Sequence, residues 1–443
     1  MIKRIIASVL MFAILLCCAS GCKSNEGKKG DTTTENISET SLPEIEIQSD
    51  TVKWLCWDSQ EVLENENTTL GFFNKLMKEY YGCHLEIVKT NYEELTQKAV
   101  QLILSGDSPD MVFFKMADFP NFILNGVVDD VSQYIDTSDP FWSYLDENPL
   151  KYRGVNYTCY SGTRTNSVTY FNKQMLTNAG LELPSELYKK NQWTWEKMFE
   201  YAKKLTQDTN KDGTADIFGV QLTPLYFYPT CGDDFVKINQ DGTFTNNIRN
   251  STVAKSMNYY NNLCKLGYNG GDVWENTAAM SVDEVWQTTS PGYVEKIRDG
   301  LIGVAPSPKM EADGDWYVNG GIHCNWLCKG ASNPGGALAY AAIVRWLYDS
   351  EDGQKLKKEF DKKNYAYPDE VAEDLAFINN TKNFKLNIVR TQGVGNFGQT
   401  SIFEMFNDSV WGVPWATTVE KMYPVLQTQI DTVNVKLATE NDF

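Results

Sequence analysis

Between Val52 and Phe114, short apolar runs alternate with amphipathic stretches, and this alternation restricts the fold more than any other feature of the chain. Val52 to Trp57 reads as a strand. Phe73, Leu76, Met77 and Tyr80 recur at i, i+3, i+4 and i+7 and so share one helical face. His84 to Val88 reads as a second strand, Leu95, Ala99, Leu102 and Ile103 mark a second helix, and Asp110 to Phe114 forms a third strand. Two successive βαβ units specify an α/β fold with a parallel, doubly wound sheet. In such sheets the ligand crevice lies beyond the carboxyl ends of the strands, which here carry Trp57-Asp58-Ser59 and Phe114-Lys115. Farther on, helical patterns cover Trp193 to Leu205, Val253 to Leu266 and Leu338 to Leu347, and Ile217 to Leu222 reads as a strand.

The amino terminus carries a different signal. Lys3 and Arg4 precede an apolar run from Ile5 to Cys18, followed by Ala19-Ser20-Gly21-Cys22. A run of that length with small residues behind it is a secretory signal, too short for a permanent span. Small residues directly before a cysteine resemble a bacterial lipobox, with Cys22 as the lipidated residue and Ala19 where Leu is usual. From Lys23 to Asp50 the chain turns to Ser, Thr, Glu, Lys and Gly, a composition that buries too little surface to fold and reads as a flexible tether. The expected location is the outer face of the cell membrane, held by a lipid.

The remaining length exceeds what one core usually serves and predicts two domains. Without Lys3 and Arg4 the chain has 38 basic against 58 acidic residues, a balance of −20. That field repels phosphate backbones, so nucleic acid is a poor partner. Seven cysteines follow Cys22 without framework spacing, and the two histidines of the chain argue against reading His323, Cys324 and Cys328 as a zinc site.

One local motif suggests a metal. Asp208, Asn210, Asp212, Thr214 and Asp216 stand at positions 1, 3, 5, 7 and 9 of a calcium-type loop, with Gly213 at position 6. Position 12 is Gly219 instead of a bidentate Glu. Calcium is therefore a candidate structural ion, and a polar turn is the competing reading.

Seven stretches in order give the chain a resemblance to a known family. They are SGDSPDMVFF (105–114), TYFNKQML (169–176), WTWEKMFEYAKKLT (193–206), DTNKDGTADIFG (208–219), AAMSVDEVW (278–286), GVAPSPK (303–309) and GGIHCNWLCKGASNP (320–334). From about Val52 onward the chain resembles the maltose-binding-like extracellular solute-binding proteins of bacterial ABC importers. The resemblance implies a two-lobe periplasmic-binding-protein-like fold with discontinuous lobes joined by hinge strands, closing around a ligand. On that pattern 1–22 is the lipoprotein signal, 23–50 a linker, 51–163 the first lobe, 164–319 the second, 320–390 a return to the first, and 391–443 the carboxyl-terminal helices of the second. It also implies a monomer that captures a carbohydrate, hands it to permease subunits and performs no catalysis.

Sugar sites combine flat aromatic platforms with side chains that fix hydroxyl orientation. By position within the family pattern, Trp286, Phe114 and Trp415 are the platforms. Trp57, Asp58, Lys115, Asp118, Arg164, Asn166 and His323 lie at strand ends or crossings and are candidates to bond hydroxyls. A tryptophan in such a protein serves lobe core as readily as a ligand. The platform count favours an oligosaccharide. The alternatives are a surface glycan sensor or adhesin and a secreted glycoside hydrolase, whose chemistry needs only two suitably placed carboxylates. Gly393-Val-Gly395-Asn-Phe-Gly398 spells a dinucleotide fingerprint but comes late in the chain and reads as a loop.

Overall fold

The computed structural model describes residues 41–394 and 400–439. The signal segment, Cys22, most of the linker and the end of the glycine-rich run, including Gly395 and Gly398, lie outside the described residues. The described strands, in chain order, are β1 (Thr51–Cys56), β2 (His84–Lys89), β3 (Met111–Phe113), β4 (Thr158–Thr165), β5 (Ser167–Asn172), β6 (Gln221–Leu222), β7 (Val236–Ile238), β8 (Phe244–Asn246), β9 (Met280–Glu284), β10 (Ile302–Pro306), β11 (Tyr317–Leu327) and β12 (Lys385–Asn387).

The first sheet has the order β12-β11-β3-β1-β2, with β4 also paired to β11. β1 runs parallel to β2 from Thr51 opposite His84 to Cys56 opposite Lys89, and parallel to β3, as the βαβ pattern requires. β11 arrives from far along the chain and pairs antiparallel to both β3 and β4. The second sheet, β10-β5-β9-β6, is mixed, with β5 antiparallel to both neighbours and β6 parallel to β9.

The helices are set by local chemistry. Thr68 caps Thr69–Tyr81 by accepting from the Gly71 amide, and Gly82 ends it at a φ of 71°, a conformation a side chain would strain. This helix and Pro334–Asp349 cover the first sheet, where Phe72 stacks on Phe360 at 4.2 Å. Burying each such large apolar side chain contributes about 1.5–3 kcal/mol. A second core gathers around Trp193, Phe227, Phe235 and the carboxyl-terminal helix Trp415–Thr439.

The chain leaves the first sheet for the second at Asn166, between β4 and β5. The Asn166 amide donates to Asn319 O at 2.8 Å, and its carbonyl accepts from the Val285 amide at 3.1 Å. Gly320 to Trp326 of β11 then pair with β4, with a bulge between His323 and Cys324.

Three expectations need correction. Residues 41–50 are not a free tether: Leu42, Ile45 and Ile47 pack on the first core, and Gln48 Oε1 accepts the Gly335 amide at 2.9 Å. The alternation of Ile45 and Ile47 with Glu44 and Glu46 carried that signal, and a Cβ on Gly335 would lie 1.9 Å from Glu46 O. The helix Asp369–Asn379, expected in the first lobe, packs instead with the second sheet, where Val371, Leu375 and Ile378 join Val168, Tyr170 and Val304. The strand expected over Ile217 to Leu222 shortens to β6, because Ile217, Phe218 and Val220 form only isolated bridges.

Candidate ligand-binding site

β1 delivers Trp57 and Asp58 at its carboxyl end. The Trp57 ring packs edge-on against Tyr92 (5.0 Å between centroids) and Phe113 (4.3 Å). Tyr92 is 42% exposed. Lys115 Nζ lies 4.6 Å from the centre of the Tyr92 ring and donates to Tyr92 O at 3.1 Å and to Thr96 Oγ1 at 3.3 Å. Thr96 Oγ1 in turn donates to Asp118 Oδ1 at 2.7 Å. Asp118 is buried and its Oδ2 has no hydrogen-bond partner. Burial pushes this carboxyl up to about 6, against the Thr96 bond and the Lys115 charge. Desolvation also raises the half-buried Asp58.

The second sheet contributes the end of β9. Glu284 Oε2 accepts from Trp286 Nε1 at 2.6 Å, and Tyr226 lies in the field of the same carboxylate. Trp286 stands on the turn Val285–Thr289, 48% exposed, with its ring edge-on to Tyr293 at 5.9 Å. Asp283 accepts from Thr223 Oγ1 at 3.1 Å and from the Glu284 amide at 2.8 Å, and burial raises it.

Tyr92 lies within the fields of groups from both halves. Burial raises its phenol, and the negative fields of Asp118 and Glu284 add to that. Burial likewise raises Tyr226, together with Glu284, Asp283 and Tyr92. Groups from the first sheet and from the second thus share one field. Close by, the Tyr367 hydroxyl bonds to Thr288 O, and Val294 joins the first core, so the Trp286 turn rests against the first sheet's helices.

The candidates separate into groups. Trp57, Lys115 and Asp118 gather around Tyr92, Asp58 follows Trp57 beyond the end of β1, and Trp286 reaches the same region only through its bond to Glu284. Phe114 does not serve as an exposed platform: it is 9% exposed and packs on Trp326 at 5.2 Å. Successive strand residues face opposite ways, so Phe113 meets Trp57 while Phe114 enters the core. Trp415 is also core, 2% exposed and stacked on Phe235 at 5.7 Å.

Arg164, Asn166 and His323 belong to the crossing ribbon. Arg164 Nη2 donates to Ser161 O at 2.9 Å, and its guanidinium lies 4.1 Å from the Tyr348 ring centre and 3.4 Å from Asp349 Oδ1. Burial and the charge of Arg164 push the His323 imidazole down to about 3, so it is neutral at physiological pH. The Asn166 side chain fills the space beside Gly321, where a Cβ would come within 2.9 Å. Sequence reasoning missed Tyr92, Thr96, Phe113, Tyr226, Asp283 and Glu284. VDE before Trp286 offered the last two, whereas Tyr92 sits in a polar loop with no periodic signal.

In the Asp208 loop the side chains cap their own turn. Asp208 accepts from the Lys211 and Gly213 amides at 2.6 and 2.9 Å, and Asp216 accepts from the Thr209 amide at 2.7 Å. Asn210 and Asp212 accept from the amides of Asp212 and Thr214, each at 2.8 Å. Among the described residues no three His, Cys, Asp or Glu side chains converge on a metal position. A cation here would rest on Asp208, Asp212 and the Asn210 amide oxygen. Apart from both regions, a groove of about 1110 Å³ runs between 41–47 and Tyr80, Tyr81 and Trp346.

No described helix is long and apolar enough to cross a membrane. Among curated proteins none matches the chain in sequence. Solved structures share the fold. An ABC substrate-binding protein from Listeria monocytogenes in complex with cycloalternan is 16% identical, with a TM-score of 0.61 over 88% of this chain and 99% of that one. The maltose/maltodextrin-binding domain MalE from Bdellovibrio bacteriovorus, bound to maltotriose, is 17% identical, with a TM-score of 0.59 over 86% of this chain and 100% of that one. Both are two-lobe binding proteins, and the mixed α/β architecture of this chain matches theirs. The model of the bacterial extracellular solute-binding proteins matches residues 63–354, well over half of the chain, and the chain belongs to that family.

Proposed function

We propose that this protein is the lipid-anchored receptor of an ABC importer and captures an oligosaccharide by closing its two lobes, without altering it chemically. The observation that carries this reading is the pairing of half-exposed aromatic rings from opposite sheets, Tyr92 beside Trp57 and Trp286 beside Tyr293, around polar groups that could fix hydroxyls. It is supported by the relatives of the same fold crystallised with cycloalternan and maltotriose. Lipidation at Cys22, delivery to permease subunits and a monomeric state complete the proposal. Calcium held by Asp208, Asn210 and Asp212 would stiffen the turn that the Gln207–Ile217 bridge closes and supply no chemistry.

The test is a thermal-shift and tryptophan-fluorescence screen of residues 41–443 against oligosaccharides, followed by chromatography of the recovered sugar. A ligand at a hundred times its dissociation constant adds about 2.7 kcal/mol to stability. The expected outcome is a stabilising sugar recovered intact; a cleaved sugar would establish a hydrolase, and silence across the panel would remove carbohydrate as the ligand.

A further inference from the structure

The turn that carries Trp286, Val285–Thr289, is tied to three places where the chain passes between the two sheets. At its start the Val285 amide donates to Asn166 O at 3.1 Å, and the Asn166 amide donates in turn to Asn319 O at 2.8 Å. The passage from β4 to β5 and the return along β11 therefore meet at the first residue of the turn. Toward its other end, Thr288 O accepts from the Tyr367 hydroxyl. Tyr367 lies in the short link between the helix Glu351–Asn364, whose Phe360 joins the first core, and the helix Asp369–Asn379, which packs with the second sheet. Two residues earlier in that link, the Tyr365 hydroxyl and Thr69 Oγ1 share a hydrogen bond of 2.7 Å, and the Tyr365 ring lies edge-on to Phe360 at 5.8 Å. The Tyr365 and Tyr367 rings are 5.6 Å apart, and Ala366 between them stands at a φ of 50°, where a side chain is strained. The two tyrosines thus form a bridge from the helix Thr69–Tyr81 to the Trp286 turn. The second lobe supports the same turn at its middle: the Tyr170 hydroxyl donates to Glu284 O at 2.7 Å and Trp274 Nε1 to Gln287 Oε1 at 3.1 Å.

We propose that Tyr367 is a positioning residue for Trp286: its hydroxyl fastens the turn to the link between the lobes, so the ring is set for a ligand by the arrangement of both lobes and not by the second sheet alone. The inference rests on the oligosaccharide-binding reading above, with Trp286 as a platform. Trp286 is bonded to Glu284 within its own turn, so a shift of the turn's backbone carries the ring with it. Thr288 is 5% exposed, and without the Tyr367 hydroxyl its carbonyl loses a donor where water does not replace it readily. The backbone beneath the ring is then free to turn toward another donor. Tyr367 acts through that backbone, and the Tyr365 bond to Thr69 is what anchors the bridge on the first lobe.

The experiment compares the natural protein with Tyr367→Phe, Trp286→Ala and the double variant. Fluorine NMR of protein labelled with 5-fluorotryptophan reports on the 12 tryptophans, and the signal missing from Trp286→Ala is that of Trp286. In Tyr367→Phe this signal is expected to shift or broaden while most of the others stay in place. Calorimetry with maltotriose, mannotriose and cellotriose is expected to give, for each sugar that binds, a dissociation constant about fivefold higher in Tyr367→Phe, at a melting temperature within about 3 °C of the natural value. Adding Tyr367→Phe to Trp286→Ala is expected to cause no further rise, because the hydroxyl acts on affinity only through that ring. An unmoved Trp286 signal, or the same fivefold loss in both backgrounds, would overturn the positioning role while leaving sugar binding in place. If the natural protein binds none of the three sugars, the oligosaccharide reading falls, and this inference with it.

Discussion

Thr96 Oγ1 donates to Asp118 Oδ1 at 2.7 Å and leaves the other oxygen of that carboxylate buried without a partner. One satisfied oxygen does not offset the desolvation of the whole group, and the carboxyl rises to about 6. An acid whose pKa is higher in the folded state than in the unfolded chain is favoured by folding only while protonated. Its contribution is present below about pH 4 and lost as the pH climbs through 6. Asp118→Asn should therefore gain stability relative to the natural protein between pH 4 and 7, by up to about 3 kcal/mol in urea denaturation. Parallel pH profiles for the two proteins would show that burial does not govern this group.

Trp286 is 48% exposed and touches its surroundings through Tyr293 and Glu284. Trp286→Ala removes a ring face at little cost in packing. The melting temperature should stay within about 2 °C of the natural value, while the dissociation constant for a bound oligosaccharide rises on the order of tenfold. Unchanged affinity would move the platform elsewhere.

Trp415 presents the opposite case. It is buried against Phe235 in the second core, and Trp415→Ala should cost about 3–5 kcal/mol in denaturation. Trp415→Phe keeps much of the volume and should bind sugar with natural affinity. A selective loss of affinity in that variant would return Trp415 to the site.

The segment before β1 makes a further difference. A chain beginning at Thr51 instead of Ser41 loses the contacts of Leu42, Ile45 and Ile47 and the bond from the Gly335 amide to Gln48 Oε1. The expected loss is a few kcal/mol, on the order of 1 for each half-buried side chain and about 1 for the helix cap. Equal denaturation midpoints for the two lengths would make this segment a passive leash.

Calcium is checked at the Asp208 loop. If Asp208, Asn210 and Asp212 hold the ion, adding calcium in excess of chelator should raise the melting temperature on the order of 2 °C. Asp212→Ala should abolish that rise. A midpoint indifferent to calcium would leave the loop as a turn held by its own amides.

What the sequence determined by itself follows from short-range physics. The periodicities of Val52 to Phe114 were enough for the three parallel strands and their helices, because apolar spacing at 2 and 3.6 residues is a property of the local chain. The ordered motifs likewise placed the chain in a family of two-lobe binding proteins. Three things were decided only by the tertiary structure. Register turned Phe113 toward Trp57 and sent Phe114 inward, a one-residue alternation that a short apolar run does not announce. Packing of Trp415–Thr439 on Phe235 made a core residue of a tryptophan that sequence position alone presented as a platform. Tyr92, in a polar loop, became the junction of the site because folding brought Glu284 and Tyr226, nearly two hundred and well over a hundred residues away, into its field. Local propensity acts over a few residues, whereas burial and charge act through space, and the site is a product of the second.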